Sequence, residues 1–331
     1  MPNPAPSPRN RLACLAGFLL FAFILLALIA GFPYVVHAES PVQTPVLDRL
    51  APDHAFTIPG GADGAIEAGV WLPAPPADGK PVPLIVISHG NGGWYRGHAD
   101  TARALAEAGF AVAALTHPGD NFRDMSRSTQ LTNRAPQLSL LIDYMTRDWT
   151  GPVAIDPDRI GAFGFSAGGF TVTSAIGGVS NALAIRDHCV AHPDFFACRL
   201  LALQGIDAST WRPGARDDRI KAASIAAPAL GFSFTDASLA SVHIPVQLWQ
   251  AAGDEILPAP FNVEPVRDRL GARPEYHEVE GAMHYDFLPP CNPGMAAEVP
   301  DLCRSAPGFD RAAFHRTLNT EVVRFFRETL K

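Results

Sequence analysis

Residues 160–169, Ile-Gly-Ala-Phe-Gly-Phe-Ser-Ala-Gly-Gly, carry the clearest chemical pattern in the chain. Four mostly apolar residues read as a buried strand. Gly164 to Gly168 reads as a tight turn, and Phe170 to Ile176 as a helix. In that context Gly-x-Ser-x-Gly lifts a serine hydroxyl above a sheet edge. The turn forces its central residue into a strained backbone, so the neighbours must be small. Gly164, Ala167, Gly168 and Gly169 are small. The following helix N-terminus favours developing negative charge. A small-residue turn that only packs a helix on a strand has the same look, so the nucleophile reading of Ser166 depends on partners elsewhere.

A serine hydroxyl needs a base to take its proton and an acid to orient that base. Open α/β sheets gather ligands beyond the carboxyl ends of their strands, so the partners belong just after strands. The strand-like run 245–251 is followed by Gly253-Asp254-Glu255, and the run 275–279 by Glu280-Gly281-Ala282-Met283-His284. The order Ser166, Asp254, His284 predicts nucleophile, orienting acid and base. Glu255 is the rival acid. The oxyanion needs N–H donors. His89-Gly90-Asn91-Gly92-Gly93-Trp94 follows the apolar run 84–88, and the hole is assigned to the N–H groups of Asn91 and Ala167. His89 reads as a loop anchor, and His117 and Asp120 as residues of the loop after the next strand. Trp94, Tyr95, Phe165 and residues 231–234 lie in loops that could reach an acyl group, although packing explains each as well.

These residues need a scaffold. Runs 84–88 and 110–115 are continuously apolar, as strands buried on both faces are. Residues 68–72 read as an edge strand, and 220–226, 245–251 and 275–279 as further strands. Helices are predicted over 98–108, 136–149 and 310–330. In the last, Ala313, Phe314, Leu318, Val322 and Phe325 recur near helical spacing. Strands alternating with helices predict an α/β fold with a mostly parallel central sheet flanked by helices. Residues 55–331 form one catalytic domain, in which 178–218 is an insertion over one side of the site. Residues 39–54 are a lead-in.

The 331 residues carry 26 basic and 33 acidic side chains, a formal charge of −7. An acidic body without a basic stripe excludes nucleic acid as the expected partner. Arg9 and Arg11 precede an uncharged run over 12–36, which ends near Ala38. That pattern predicts an export signal, or an N-terminal anchor across a membrane, in residues 1–38. Either places the body outside the cytoplasm, secreted or periplasmic, with membrane contact only through the N-terminus. Beyond Cys14, four cysteines remain, an even number that outside the cytoplasm points to disulfides. Three pairings are possible, and the two local ones, Cys189–Cys198 and Cys291–Cys303, are preferred. The second would restrict the segment that leaves His284; the first, on the insertion, is expected to serve stability. His188 and His192 lack the further ligands of a metal site and read as surface residues. No cofactor or metal is expected.

The stretches SHGNGG (88–93), LTHPGDN (115–121), DPDRIGAFGFSAGG (156–169), APALGFSF (227–234) and EGAMHYDFLPPC (280–291), in this order, carry a resemblance. Together they resemble the α/β-hydrolase superfamily, in particular the dienelactone-hydrolase-like proteins. They are also similar to the platelet-activating-factor acetylhydrolase family and, more distantly, to polyester-cleaving esterases. The similarity covers roughly residues 55–330. It departs from true dienelactone hydrolases at the nucleophile, where those carry cysteine and this chain carries Ser166. The resemblance implies the α/β-hydrolase fold and hydrolysis of carboxylic esters, of short acyl groups or of lipid type.

Overall fold

The computed structural model describes residues 50–206, 211–212 and 214–331. The expected export signal or anchor, residues 1–38, lies outside the described residues, as does most of the lead-in. No helix among the described residues is long and apolar enough to cross a membrane.

Eight strands form one sheet: β1 (His54–Pro59), β2 (Ala65–Trp71), β3 (Val82–Ser88), β4 (Ala111–Leu115), β5 (Ile155–Phe165), β6 (Ile220–Ala226), β7 (Val246–Ala251) and β8 (Glu275–Val279). Their order is β1-β2-β4-β3-β5-β6-β7-β8. β2 runs antiparallel to both β1 and β4, and every later pairing is parallel. The segment 68–72 is therefore not an edge strand. β1 takes the edge, and β2 is covered on both sides. Alternation in 56–72 is loose because Gly60 to Gly64 turns the chain between two paired strands.

In the inner strands successive side chains point to opposite faces. Leu84 and Val86 of β3 enter one core, and Ile85 and Ile87 enter the other. That is why this strand reads as an unbroken apolar run. Helices α1 (Ala99–Glu107) and α10 (Arg311–Thr329) cover the face of Ile85 and Ile87. α10 starts at Asp310, whose side chain accepts from the N–H of Ala313 at 2.9 Å, and buries Phe314, Leu318, Val322 and Phe325. The opposite face carries α2 (Arg134–Asp143) and α3 (Ala167–Ala175). α2 runs into a π-helical turn over Tyr144–Asp148, so the expected long helix changes pitch midway. α3 begins directly after Ser166, earlier than the sequence indicated, because glycines 168 and 169 hold helical backbone where side chains would not fit.

The insertion folds as two helices, α4 (Ala182–Ala191) and α5 (Phe196–Gln204). Cys189 and Cys198 join them in a disulfide. α6 (Asp236–Ala240) precedes β7, and α7 (Val263–Arg269) follows it. Two short helices, α8 (Pro293–Glu298) and α9 (Pro300–Cys303), precede α10, and a disulfide joins Cys291 to Cys303. Both local pairings are thus the ones formed.

Candidate active site

Ser166 stands between β5 and α3 with φ 57° and ψ −118°. A non-glycine residue there costs on the order of 1–3 kcal/mol and persists only where its surroundings enforce it. Three backbone bonds do so: its N–H donates to the C=O of Ala226 (2.9 Å), and its C=O accepts from Phe170 (3.0 Å) and Ala229 (3.0 Å). The small neighbours are a steric demand. A Cβ on Gly164 would lie 2.2 Å from the oxygen of Gly168, and one on Gly168 would lie 1.9 Å from the oxygen of Ser88.

The loops after β7 and β8 bring Asp254 and His284 to this turn. His284 Nε2 lies 3.0 Å from Ser166 Oγ, and its Nδ1 lies 2.8 Å from Asp254 Oδ2. A carboxylate beside Nδ1 fixes the proton there, so Nε2 accepts from the serine hydroxyl. The remaining oxygen of Asp254 accepts from the N–H groups of Ile256 (3.0 Å) and Leu257 (2.7 Å). Glu255 does not reach the imidazole ring. It accepts from the backbone N–H of His284 at 3.2 Å. Phe165 lies against the imidazole, with ring centroids 4.8 Å apart. Ser166, Asp254 and His284 are 8%, 8% and 2% exposed, so the relay is shielded from bulk water.

The loop that carries Asn91 is held from below by a buried ion pair. Asp120 accepts from Asn91 Nδ2 and from the N–H of Gly92, both at 2.9 Å. Its other oxygen pairs with Arg134, which also donates to the C=O of His89 and, at 3.1 Å, to Thr171 Oγ1 on α3. One guanidinium therefore ties both assigned oxyanion segments together. Burial lowers the pKa of Arg134, and the adjacent carboxylate of Asp120 opposes that. His89 and His117 complete the support. His89 Nδ1 donates to the C=O of Gly90 (2.6 Å) and Nε2 accepts from the N–H of His117 (3.0 Å). His117 contacts Gln137 Oε1 (2.7 Å) and Ser88 Oγ (2.8 Å). Burial, then the charge of Arg134, pushes both imidazoles well below their ordinary range, which keeps them neutral. His89, His117 and Asp120 shape the loop rather than touch the relay. Arg134 gave no local signal in the sequence, since an arginine at a helix start usually faces water.

A second buried pair stands behind His284. The 3₁₀ turn His284–Phe287 presents Asp286, which accepts from the N–H of Met283 (2.8 Å), Ser305 Oγ and Arg311 Nε (2.8 Å). The other nitrogens of Arg311 donate to the C=O groups of Leu302 and Arg304, 2.8 Å each, on either side of Cys303. The Cys291–Cys303 segment is thus bonded to the turn that holds His284.

A cleft opens beside Ser166, lined by Leu131, Leu200, Leu201, Trp211, Leu230 and Leu257 and by Asn91 and Ala167. Trp94, Tyr95, Phe165 and residues 231–234 are not in its wall. Phe232 instead stacks on His188, with centroids 3.8 Å apart. His188 is half-buried there rather than a surface residue, and burial lowers its pKa to about 4. Among the described residues, one group could gather ligands for a metal ion: Glu275, His277 and Glu321. Arg324 already pairs with both glutamates, and His277 lies flat on Trp249, so that group is a neutralised surface network.

An eight-stranded, mostly parallel sheet with this serine turn after β5, and an acid and a histidine after β7 and β8, defines the α/β-hydrolase fold. No protein-family model matches the sequence, and no curated protein matches it. Solved structures do. A puromycin-hydrolyzing peptidase from Mycobacterium tuberculosis superposes with a TM-score of 0.56 at 15% identity, over 87% of this chain and 42% of that one. The chain therefore spans less than half of that peptidase. A ferulic acid esterase from Streptomyces cinnamoneus matches with a TM-score of 0.55 at 18% identity, over 84% and 88% of the two chains. A dienelactone hydrolase from Anabaena variabilis matches with a TM-score of 0.50 at 14% identity, over 84% and 98%. At such identities the likeness establishes the fold, and the chain has the α/β-hydrolase fold.

Proposed function

We propose that the chain is a serine hydrolase that cleaves carboxylic esters, of short acyl or lipid-type acids, through an acyl-enzyme on Ser166. The observation that carries this reading is the continuous relay from Asp254 through His284 to Ser166 Oγ, at 2.8 and 3.0 Å, in a buried site. In the forward step His284 Nε2 takes the hydroxyl proton while Oγ bonds to the ester carbon. The carbonyl electron pair moves onto its oxygen, stabilised by the N–H groups of Ala167 and Asn91. Each such donor is worth about 3 kcal/mol in the transition state. The pair then returns, the bond to the alcohol oxygen breaks, and His284 gives that oxygen its proton. Water repeats the sequence on the acyl-enzyme, losing a proton to His284 and releasing the acid. Asp254 holds the tautomer and stabilises the imidazolium throughout.

The esterase and dienelactone hydrolase among the structural neighbours agree with acyl transfer to water, whereas the peptidase keeps amide substrates in view. Two disulfides fit an oxidising compartment, so a secreted or periplasmic location is part of the proposal. The test is turnover by the purified chain of p-nitrophenyl esters, peptide p-nitroanilides and acyl thioesters, with Ser166→Ala as control. Ester kcat/KM exceeding that for the anilides by two orders of magnitude or more, and lost in the variant, is expected. Preferred cleavage of the anilides would replace the esterase reading by a peptidase one.

A further inference from the structure

The cleft beside Ser166 is one-sided. Ser166, Asn91 and Ala167 line it, and His284 is not in its wall. In acyl transfer the alcohol leaves toward the group that protonates it. Given the role proposed for His284, the alcohol departs on the imidazole side. The substituent that stays on the carbonyl carbon then points the other way, into the cleft. No charged side chain lines the cleft among the described residues. Its two wall hydroxyls are already engaged: Ser128 Oγ donates to Gln204 Oε1 (2.8 Å) and Thr129 Oγ1 to the C=O of Gly205 (2.9 Å). A polar or charged acyl group would lose its water and find no partner there.

The outer wall is α5. Phe196, Ala197, Leu200 and Leu201 face the cleft from that helix. Its N-terminal half is tied to α4 by Cys189–Cys198. Its C-terminal end is bonded to the loop over 125–129 by the two hydroxyls above and by Gln204 Nε2 to the C=O of Met125 (3.0 Å). A wall fixed at both ends gives the cleft a set depth.

We propose that this cleft is the acyl-binding site, that it takes the unbranched hydrocarbon chain of an aliphatic carboxylic acid, and that Leu200 on the stapled helix sets the chain length accepted. The proposal rests on the reading of Ser166 as the acyl-transfer nucleophile. Each methylene added to the acyl chain raises kcat/KM about fourfold while it still finds apolar wall. Beyond the end of the cleft, kcat/KM falls.

The experiment is kcat/KM for p-nitrophenyl acetate, butyrate, hexanoate, octanoate and decanoate, with the hemisuccinate and an aminoacyl ester as charged comparators. It is run on the full chain and on Leu200→Trp and Leu200→Ala. The octanoate-to-acetate ratio does not depend on how much enzyme is folded. It should drop at least tenfold in Leu200→Trp and rise in Leu200→Ala, where the cleft is longer. Both charged esters should be poorer than butyrate. A ratio unmoved in both variants, a flat chain-length profile, or preference for a charged acyl group overturns the proposal while leaving ester hydrolysis standing. Absence of turnover with every ester overturns both.

Discussion

On one side of Ser166 the surroundings are polar and cross-linked, and on the other they are apolar and closed by one helix. The base side carries Asp286, accepting from Met283, Ser305 and Arg311, while Arg311 also reaches the carbonyls of Leu302 and Arg304. His315 adds a contact from Nε2 to the C=O of Asp286 at 3.0 Å. The acyl side offers leucines and Trp211, with α5 held by a disulfide and three hydrogen bonds at its end. On the proposed mechanism the two sides have different tasks. A base must hold its nitrogen within hydrogen-bond reach of one oxygen, and a displacement of about 1 Å can cost 10²-fold in rate. A hydrocarbon site needs shape, and tolerates small shifts because dispersion and burial are not directional.

The largest effect that sharpens this contrast lies at the base itself. His284→Ala should lower kcat by about 10⁴-fold or more without unfolding the chain, because the hydroxyl loses its proton acceptor. Asp254→Asn should cost less than that, though heavily, and Glu255→Gln should be mild, since Glu255 meets His284 through the backbone N–H and not the ring. Steady-state kinetics on the three variants check the assignment, and a severe Glu255→Gln with a mild Asp254→Asn would reverse it.

Next comes the pair behind the base. Asp286→Asn removes a fully buried carboxylate from Arg311, so stability falls by about 3–5 kcal/mol. Assayed well below its melting point, the variant should lose kcat by about 10²-fold with KM little changed. A raised KM with kcat intact would mean that Asp286 does not position His284.

The disulfides break the comparison most directly. Each closes a short loop and is worth about 2–4 kcal/mol. Cys291→Ser with Cys303→Ser should reduce kcat at temperatures where circular dichroism still shows the fold. Cys189→Ser with Cys198→Ser should raise KM and flatten the chain-length profile, because α5 is the cleft wall. Equal changes in kcat from both double variants would remove the distinction between the two sides.

The smallest effect concerns His98, which packs edge-on against Phe163 and Phe165 behind the relay. Neither ring nitrogen has a partner among the described residues. Burial lowers its pKa to about 4, against the opposing charge of Asp100. The unfolded chain takes up this proton near pH 6.5 and the folded chain near 4, so the stability it contributes is full above pH 6.5 and is lost as pH falls toward 4. The loss is at most about 3 kcal/mol. Melting temperatures from pH 7.5 to 4 should fall less steeply in His98→Phe than in the parent. Parallel curves would contradict this.

The sheet was legible because its inner strands are buried on both faces and so read as apolar runs. The relay was legible because the fold places its members just after strands, where Ser166, Asp254 and His284 stand out in short loops. The cleft was legible only as the insertion 178–218, which carries the wall residues near 200 and 211. The rest of the wall draws on residues near 130, 230 and 257, which no local pattern connects, and Trp94 and Phe232 pack elsewhere. The buried pairs Asp120–Arg134 and Asp286–Arg311 were invisible for the same reason. A charged residue in a loop or at a helix start reads as solvated until the other half of its pair is folded against it. The spacing of Cys189 and Cys198 likewise marks a staple but not what the stapled helix faces.

The central claim, that Ser166 forms a covalent acyl intermediate, is tested most directly by acid-quenching the enzyme during turnover of p-nitrophenyl butyrate and mapping its peptides by mass spectrometry. The account predicts a butyryl mass on the peptide containing Ser166, absent in Ser166→Ala, and accumulating in step with the initial burst of nitrophenol. Turnover that persists in Ser166→Ala, or a butyryl group carried stoichiometrically by another residue, would contradict it.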